Sequence, residues 1–158
     1  MVTEKQRKHI GGFYYECMQL FYCMVVVREL NPDESKISMP NYLAVAFSTH
    51  ARNLWEFFYG SDREPEKYPR VRHYVSDWSI VSNIEVKKYN GILNRQLSHL
   101  DYKRGETNEP PPVAFIYPAY RHFRTLIIEF LDKLPQEILS PNMKELRDLM
   151  KEDLSRYP

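Results

Sequence analysis

The sequence predicts an all-α fold, an up-and-down helical bundle of four main helices plus a C-terminal helix. Apolar residues recur every three or four positions in five stretches, the period of a helix that buries one face. Prolines collect between those stretches or in their first turns, where a missing N–H costs least. No stretch alternates apolar and polar residues convincingly enough to be a half-buried strand.

The first helix is expected over about Thr3–Glu29, ending before Asn31-Pro32 because proline pushes the preceding residue out of helical geometry. Ile10, Phe13, Cys17, Leu20, Met24 and Val27 form one apolar stripe, and Tyr14, Met18, Phe21 and Val25 form a second. A helix apolar on two sides is buried on two sides. Gly11 and Gly12 loosen its early turns, at roughly 1 kcal/mol each relative to alanine.

The second helix is expected from Pro40, with Ser38 as its cap, to Tyr59, where Gly60 stops it. Leu43, Ala44, Ala46, Phe47, Ala51, Leu54, Trp55, Phe57 and Phe58 share a broad apolar arc that also contains His50. Asn53 falls at the border of the arc and Arg52 points away. Ser61 to Ser79 is a charged loop that is long for a structureless connection, either a lid or partner surface or an extended crossover. Tyr68, Tyr74 and Trp78 are its expected points of return to the bundle.

Ser82 and Glu85 have the reciprocal spacing of a capping box and open a third helix, to about Asp101 or Tyr102. Its stripe is Val86, Tyr89, Leu93, Leu97 and Leu100. Pro110, Pro111 and Pro112 then exclude helix from the connector. The fourth helix is expected over Tyr117–Lys133, with Tyr120, Phe123, Leu126, Ile127, Phe130 and Leu134 inward. Ser140-Pro141 opens the fifth, which turns Met143, Leu146, Leu149, Met150 and Leu154 inward.

At 158 residues the chain forms one domain, 1–158, because domains run to roughly 100–200 residues. Its 43% of hydrophobic residues suffices to bury a core, which disordered chains lack. The formal charge of +1 excludes a global field for phosphate binding, so any nucleic-acid contact has to be a local patch. Cys17 and Cys23 sit about 9 Å apart along one helix, too far for a disulfide. Reduced thiols point to a cytoplasmic protein. The basic start followed by the apolar run Phe13–Val27 imitates a signal peptide, but Glu16 and Gln19 interrupt it and it is short for a membrane span. No membrane association is expected.

The candidate chemistry centres on Asn94 to Arg104. His99 falls at the rim of the third helix's core stripe, with Arg95 one turn earlier on nearly the same side. An imidazole that works near neutral pH beside a guanidinium that holds a phosphate is a catalytic pairing; the plainer role is a rim histidine bonded to a neighbouring helix. His50 and Asn53, with Asn94 and Arg121, are the candidate ligand-binding residues, His50 and Asn53 having equally a structural role in tying helices together. His122 beside Arg121 adds to the same basic end. His9, His50, His73, His99 and His122 never fall at the spacing of a helical metal pair, so no metal is expected, and no phosphate loop or other cofactor signature occurs.

His50-Ala51-Arg52-Asn53-Leu54-x-Glu56-Phe57-Phe58 and Leu93-Asn94-x-Gln96-Leu97-x-His99-Leu100-x-Tyr102 resemble a family of small bacterial helical proteins that is similar to the HEPN (higher eukaryotes and prokaryotes nucleotide-binding) superfamily. The likeness covers about residues 40–134. It implies a helical bundle, often a homodimer, and in active members a metal-independent RNase site with an arginine four to six residues ahead of a histidine. Here three residues separate Arg95 from His99, and Asn94 occupies the position with four between. Two functions follow as expectations. One is a non-enzymatic interaction or structural module with a protein partner. The other is a HEPN-like RNase or nucleotide-binding protein of a stress or phage-defence system, using His99 and Arg95.

Overall fold

The computed structural model describes residues 3–30, 41–60, 69–79 and 116–157, and among these the fold is all-α. Helix α1 spans Glu4–Leu30, α2 Asn41–Tyr59, α3 Ile116–Lys133 and α4 Pro141–Arg156. A short 3-10 turn, Val71–His73, lies between α2 and α3. The last two helices are the fourth and fifth read from the sequence. The expected third helix, together with Ser38, Pro40 and Tyr68, lies outside the described residues.

The starts of α1 and α4 have a local cause. Thr3 and Gln6 form a capping box on α1: the Gln6 N–H donates to Thr3 Oγ1 at 3.1 Å while the Thr3 N–H donates to Gln6 Oε1 at 2.8 Å. Ser140 caps α4 by accepting from the Met143 N–H at 3.3 Å, and Pro141 occupies the first turn, where it forfeits no bond.

Residue contacts fix the directions. Phe13 meets Phe57 and Glu16 meets His50, so α1 and α2 run antiparallel. Phe13 also meets Phe130 while Arg28 reaches Tyr120, so α3 is antiparallel to α1 as well. Tyr120 bonds Asp153 and Asp132 pairs with Arg147 and Lys151, which sends α4 back along α3.

The core is aromatic at its centre. Phe130 is fully buried among Phe13, Phe57, Phe58, Tyr74 and Trp78, with ring centroids between 4.9 and 6.2 Å away and mostly edge to face, the geometry aromatic quadrupoles favour. Residues 69–79 therefore belong to the core. Val71, Tyr74, Val75 and Trp78 are buried, and the segment is tied to α1 by Gln6 Nε2 donating to the His73 carbonyl at 2.7 Å and the Tyr74 hydroxyl donating to the Gln6 carbonyl at 3.1 Å. This segment resolves the alternatives for its part of the charged loop in favour of a packed connection.

The expectation that Leu154 packs inward fails. Leu154 is exposed and Asp153 is buried in its stead, because three basic or hydroxyl partners on α1 and α3 converge on that carboxylate. Leu126 and Leu149, also expected inward, are only partly buried.

Candidate functional site

Two of the four ligand-binding candidates lie together on α2. His50 sits where the apolar arc of α2 meets α1, and its Nδ1 faces Glu16 Oε2 at 2.7 Å, both side chains largely buried. A carboxylate accepts only, so Nδ1 carries the proton in that bond and Nε2 is the nitrogen left for other work. The Tyr15 ring packs edge-on to the imidazole at 5.9 Å. Asn53, three residues along, is exposed on the same side, and Arg52 is half-buried rather than turned fully away.

Beyond this pair α1 and α2 carry aromatic and aliphatic side chains that stay exposed to solvent. Tyr22 is 53% exposed, Tyr15 is similarly open, and Val26 continues the row, spaced seven and eleven residues from Tyr15 on one side of α1. Tyr42, 72% exposed, and Val45 do the same on α2. Soluble helices ordinarily turn charge outward at such positions.

Arg121 and His122 lie elsewhere. His122 Nε2 is 2.6 Å from the Tyr59 hydroxyl, the two rings stack, and Tyr59 in turn stacks on Trp55 at 4.3 Å. Burial lowers the His122 pKa below its ordinary value and pushes Tyr59 up to about 12, so at neutral pH the bond joins a neutral imidazole to a neutral phenol. Tyr59 is nine residues beyond His50, about half a turn of residual rotation around α2 and roughly 13 Å along it. The described residues thus bring His50 to Glu16 and His122 to Tyr59, on opposite sides of α2. Arg121 is half-buried next to His122. His99, Arg95 and Asn94 lie outside the described residues.

A third cluster escaped the sequence reading. Asp153, 7% exposed, accepts from Arg124 Nη1 at 2.8 Å, from the Tyr120 hydroxyl at 2.9 Å and from Arg28 Nη1. Burial alone would raise the Asp153 carboxyl; the bonds from Arg124, Arg28 and Tyr120 outweigh it and hold its pKa below the ordinary value. Burial, with the Asp153 charge beside it, pushes the Tyr120 phenol upward. The signal was present as periodicity. Asp153 continues the series Met143, Leu146, Met150, and Arg124 falls between Tyr120 and Ile127 on the inward stripe of α3.

Other chemistry finds little support. Among the described residues no three metal-ligating side chains gather. Cys17 and Cys23 are buried free thiols whose pKa values burial raises, Glu16 adding to the effect at Cys17, so neither is a ready thiolate nucleophile. The stretch Gln6–Leu30 is long and apolar enough by composition to cross a membrane; here its inward face packs on α2, α3 and α4, and Glu16 and Arg28 are both paired across helices. Comparison with known proteins finds no match among family models, curated proteins or solved structures.

Proposed function

We propose that this protein is a helical interaction module that pairs with a second copy of itself through the outer face of α1 and α2. The carrying observation is the uncharged, exposed row Tyr15, Tyr22 and Val26 on α1, with Tyr42 and Val45 also exposed on α2, the helix packed against it. A two-fold interface sets each residue against its own image or a near neighbour, so unpaired like charges in it repel. Glu16, at the edge of this face, is matched by His50, and the exposed Lys8 and Glu29, seven residues before Tyr15 and seven after Tyr22, bound the row at its two ends with opposite charges. Tyrosine suits such a role because it brings large contact area and a polar tip to a surface that is wet before association.

Light scattering on the eluting protein tests the pairing. The wild type is expected to run as a dimer and Tyr22→Glu as a folded monomer, with Lys144→Glu on α4 as an indifferent control. A wild type that stays monomeric at the highest soluble concentration removes this reading.

A second reading is metal-independent RNA cleavage or nucleotide binding by His99 and Arg95. The all-helical architecture is what the HEPN resemblance implies, and this favours the reading. It predicts RNA cleavage in the presence of a chelator that falls about 10²–10⁴-fold in His99→Ala. An inert wild type whose RNA and nucleotide binding is unaltered by His99→Ala and Arg95→Ala rejects it.

A further inference from the structure

Arg28 and Arg124 bring two guanidinium charges to a single carboxylate, Asp153, and Arg124 spends a further bond of 3.2 Å on the Asp153 backbone carbonyl. Arg124 is 1% exposed and Arg28 13%. The Nε atoms of both are buried without a hydrogen-bond partner. Among the described residues the cluster therefore holds one positive charge more than its acid balances, and two unanswered donors, in a place where uncompensated charge is costly. Water could accept from the donors but would leave the charge.

The route to it runs past Tyr157. That residue is the C-cap of α4, held by its N–H on the Asp153 carbonyl at 2.9 Å, while its ring, 41% exposed, lies 3.9 Å from the Arg28 guanidinium. The ring covers the cation by a cation–π contact, the one interaction of this ring among the described residues.

We propose that Arg28, backed by Arg124, is a binding site for an oxyanion of the phosphate class, closed by the Tyr157 ring. With the Tyr157 ring displaced, Arg28 keeps Nη1 on Asp153 and offers its otherwise buried Nε together with Nη2, the edge of its fork whose spacing matches two oxygens of one phosphate. Tyr120 and Arg124 hold the Asp153 carboxylate so that it does not swing toward the anion. The ligand displaces the Tyr157 ring, which turns outward about its own side-chain bonds without disturbing α4. The site is independent of the dimer face, since Arg28 and Tyr157 lie at the α1–α4 junction.

Titration calorimetry and thermal melting with inorganic phosphate, against sodium chloride of equal ionic strength, test the site. Phosphate is expected to bind saturably and raise the melting temperature where chloride does not. Arg28→Met and Arg28→Lys, shown folded by circular dichroism, are expected to lose the response, the lysine because it keeps the charge without the fork. Tyr157→Ala is expected to bind about two- to thirtyfold tighter, the range that removal of a competing cation–π contact gives. Glycerol 3-phosphate beside inorganic phosphate separates the sources: tighter binding of the ester marks a phosphate monoester as ligand, and tighter binding of the free ion marks phosphate itself. Phosphate that behaves as chloride does in the wild type, Arg28→Lys that binds as well as wild type, or Tyr157→Ala with unchanged affinity overturns the proposal.

Discussion

Arg124 Nη1 meets Asp153 Oδ2 at 2.8 Å with the two side chains 1% and 7% exposed, so α3 and α4 are joined by an ion pair that water scarcely reaches. Removing one partner of such a pair strands the other charge in the interior, which costs about 3–5 kcal/mol, whereas a surface pair is worth under about 1 kcal/mol. Asp153→Asn is expected to lose stability on the larger scale in urea unfolding. Asp132→Asn, which breaks the exposed contacts to Lys151 and Arg147, is expected to lose little.

Acid should destabilise the protein in two stages. His122 has a folded-state pKa below its ordinary 6.5, so its stabilisation is present above that value and lost as pH falls through the lowered one. Asp153 is also depressed, from 3.8, and its stabilisation disappears only when pH drops through its lowered folded value. Melting temperatures across mildly acidic pH should fall less in His122→Gln than in wild type, while the step in stronger acid persists in that variant. A His122→Gln profile identical to wild type contradicts the assignment.

Phe130 is the ring that Phe13, Phe57, Phe58, Tyr74 and Trp78 all touch. Truncating a buried phenylalanine removes its transfer free energy and leaves a cavity, about 3–5 kcal/mol together. Phe130→Ala is expected at the upper part of that range, because rings donated by three separate parts of the chain cannot close the gap at once. Chemical denaturation measures it, with Phe130→Leu expected to recover a large share.

Two glycines should respond oppositely to alanine. A Cβ on Gly11 meets nothing within 4 Å, in the exposed interior of a helix, so Gly11→Ala should stabilise by about 0.5–1 kcal/mol. A Cβ on Gly60 would stand 2.6 Å from Arg70 Cζ and press on the Glu56 carbonyl. Arg70 is buried and bonded to Glu56 at 3.3 Å, so it cannot simply leave. Gly60→Ala should lose about 1–3 kcal/mol. Thermal melts of the two variants that shift the same way would refute the contrast.

Periodicity made the helices readable. The bounds of α1 and α3 fell within a residue of their prediction because Asn31-Pro32 and Pro118 punctuate the chain at those points. The same counting failed at Leu154 and Asp153, which stand 100° apart with each near the edge of the inward arc of α4. Hydrophobicity favoured the leucine; the tertiary placement of Arg28 and Arg124, which no local rule contains, decided for the aspartate. His50 was read as lying inside the apolar arc of its helix, and it is in fact only partly buried, at the edge of that arc where α2 meets α1. Its partner Glu16 could not be read from the sequence, since it depends on the register of α1 against α2. Tyr74 and Trp78 were visible as anchors, yet proline and charge around them masked how completely residues 69–79 enter the core.

That segment has a consequence for the order in which the molecule comes apart. A connection between helices usually exchanges its amide hydrogens quickly, because it opens without disturbing its neighbours. Here Trp78 and Tyr74 share the ring cluster with Phe130, and His73 and Tyr74 fasten the first turns of α1. The Tyr74, Val75 and Trp78 amides, bonded at 3.0 to 3.1 Å within the segment, can be freed only by pulling rings out of the centre of the bundle. The connector and the helices on either side of it therefore form one cooperative unit, and its slowest amides should exchange only when the whole domain unfolds.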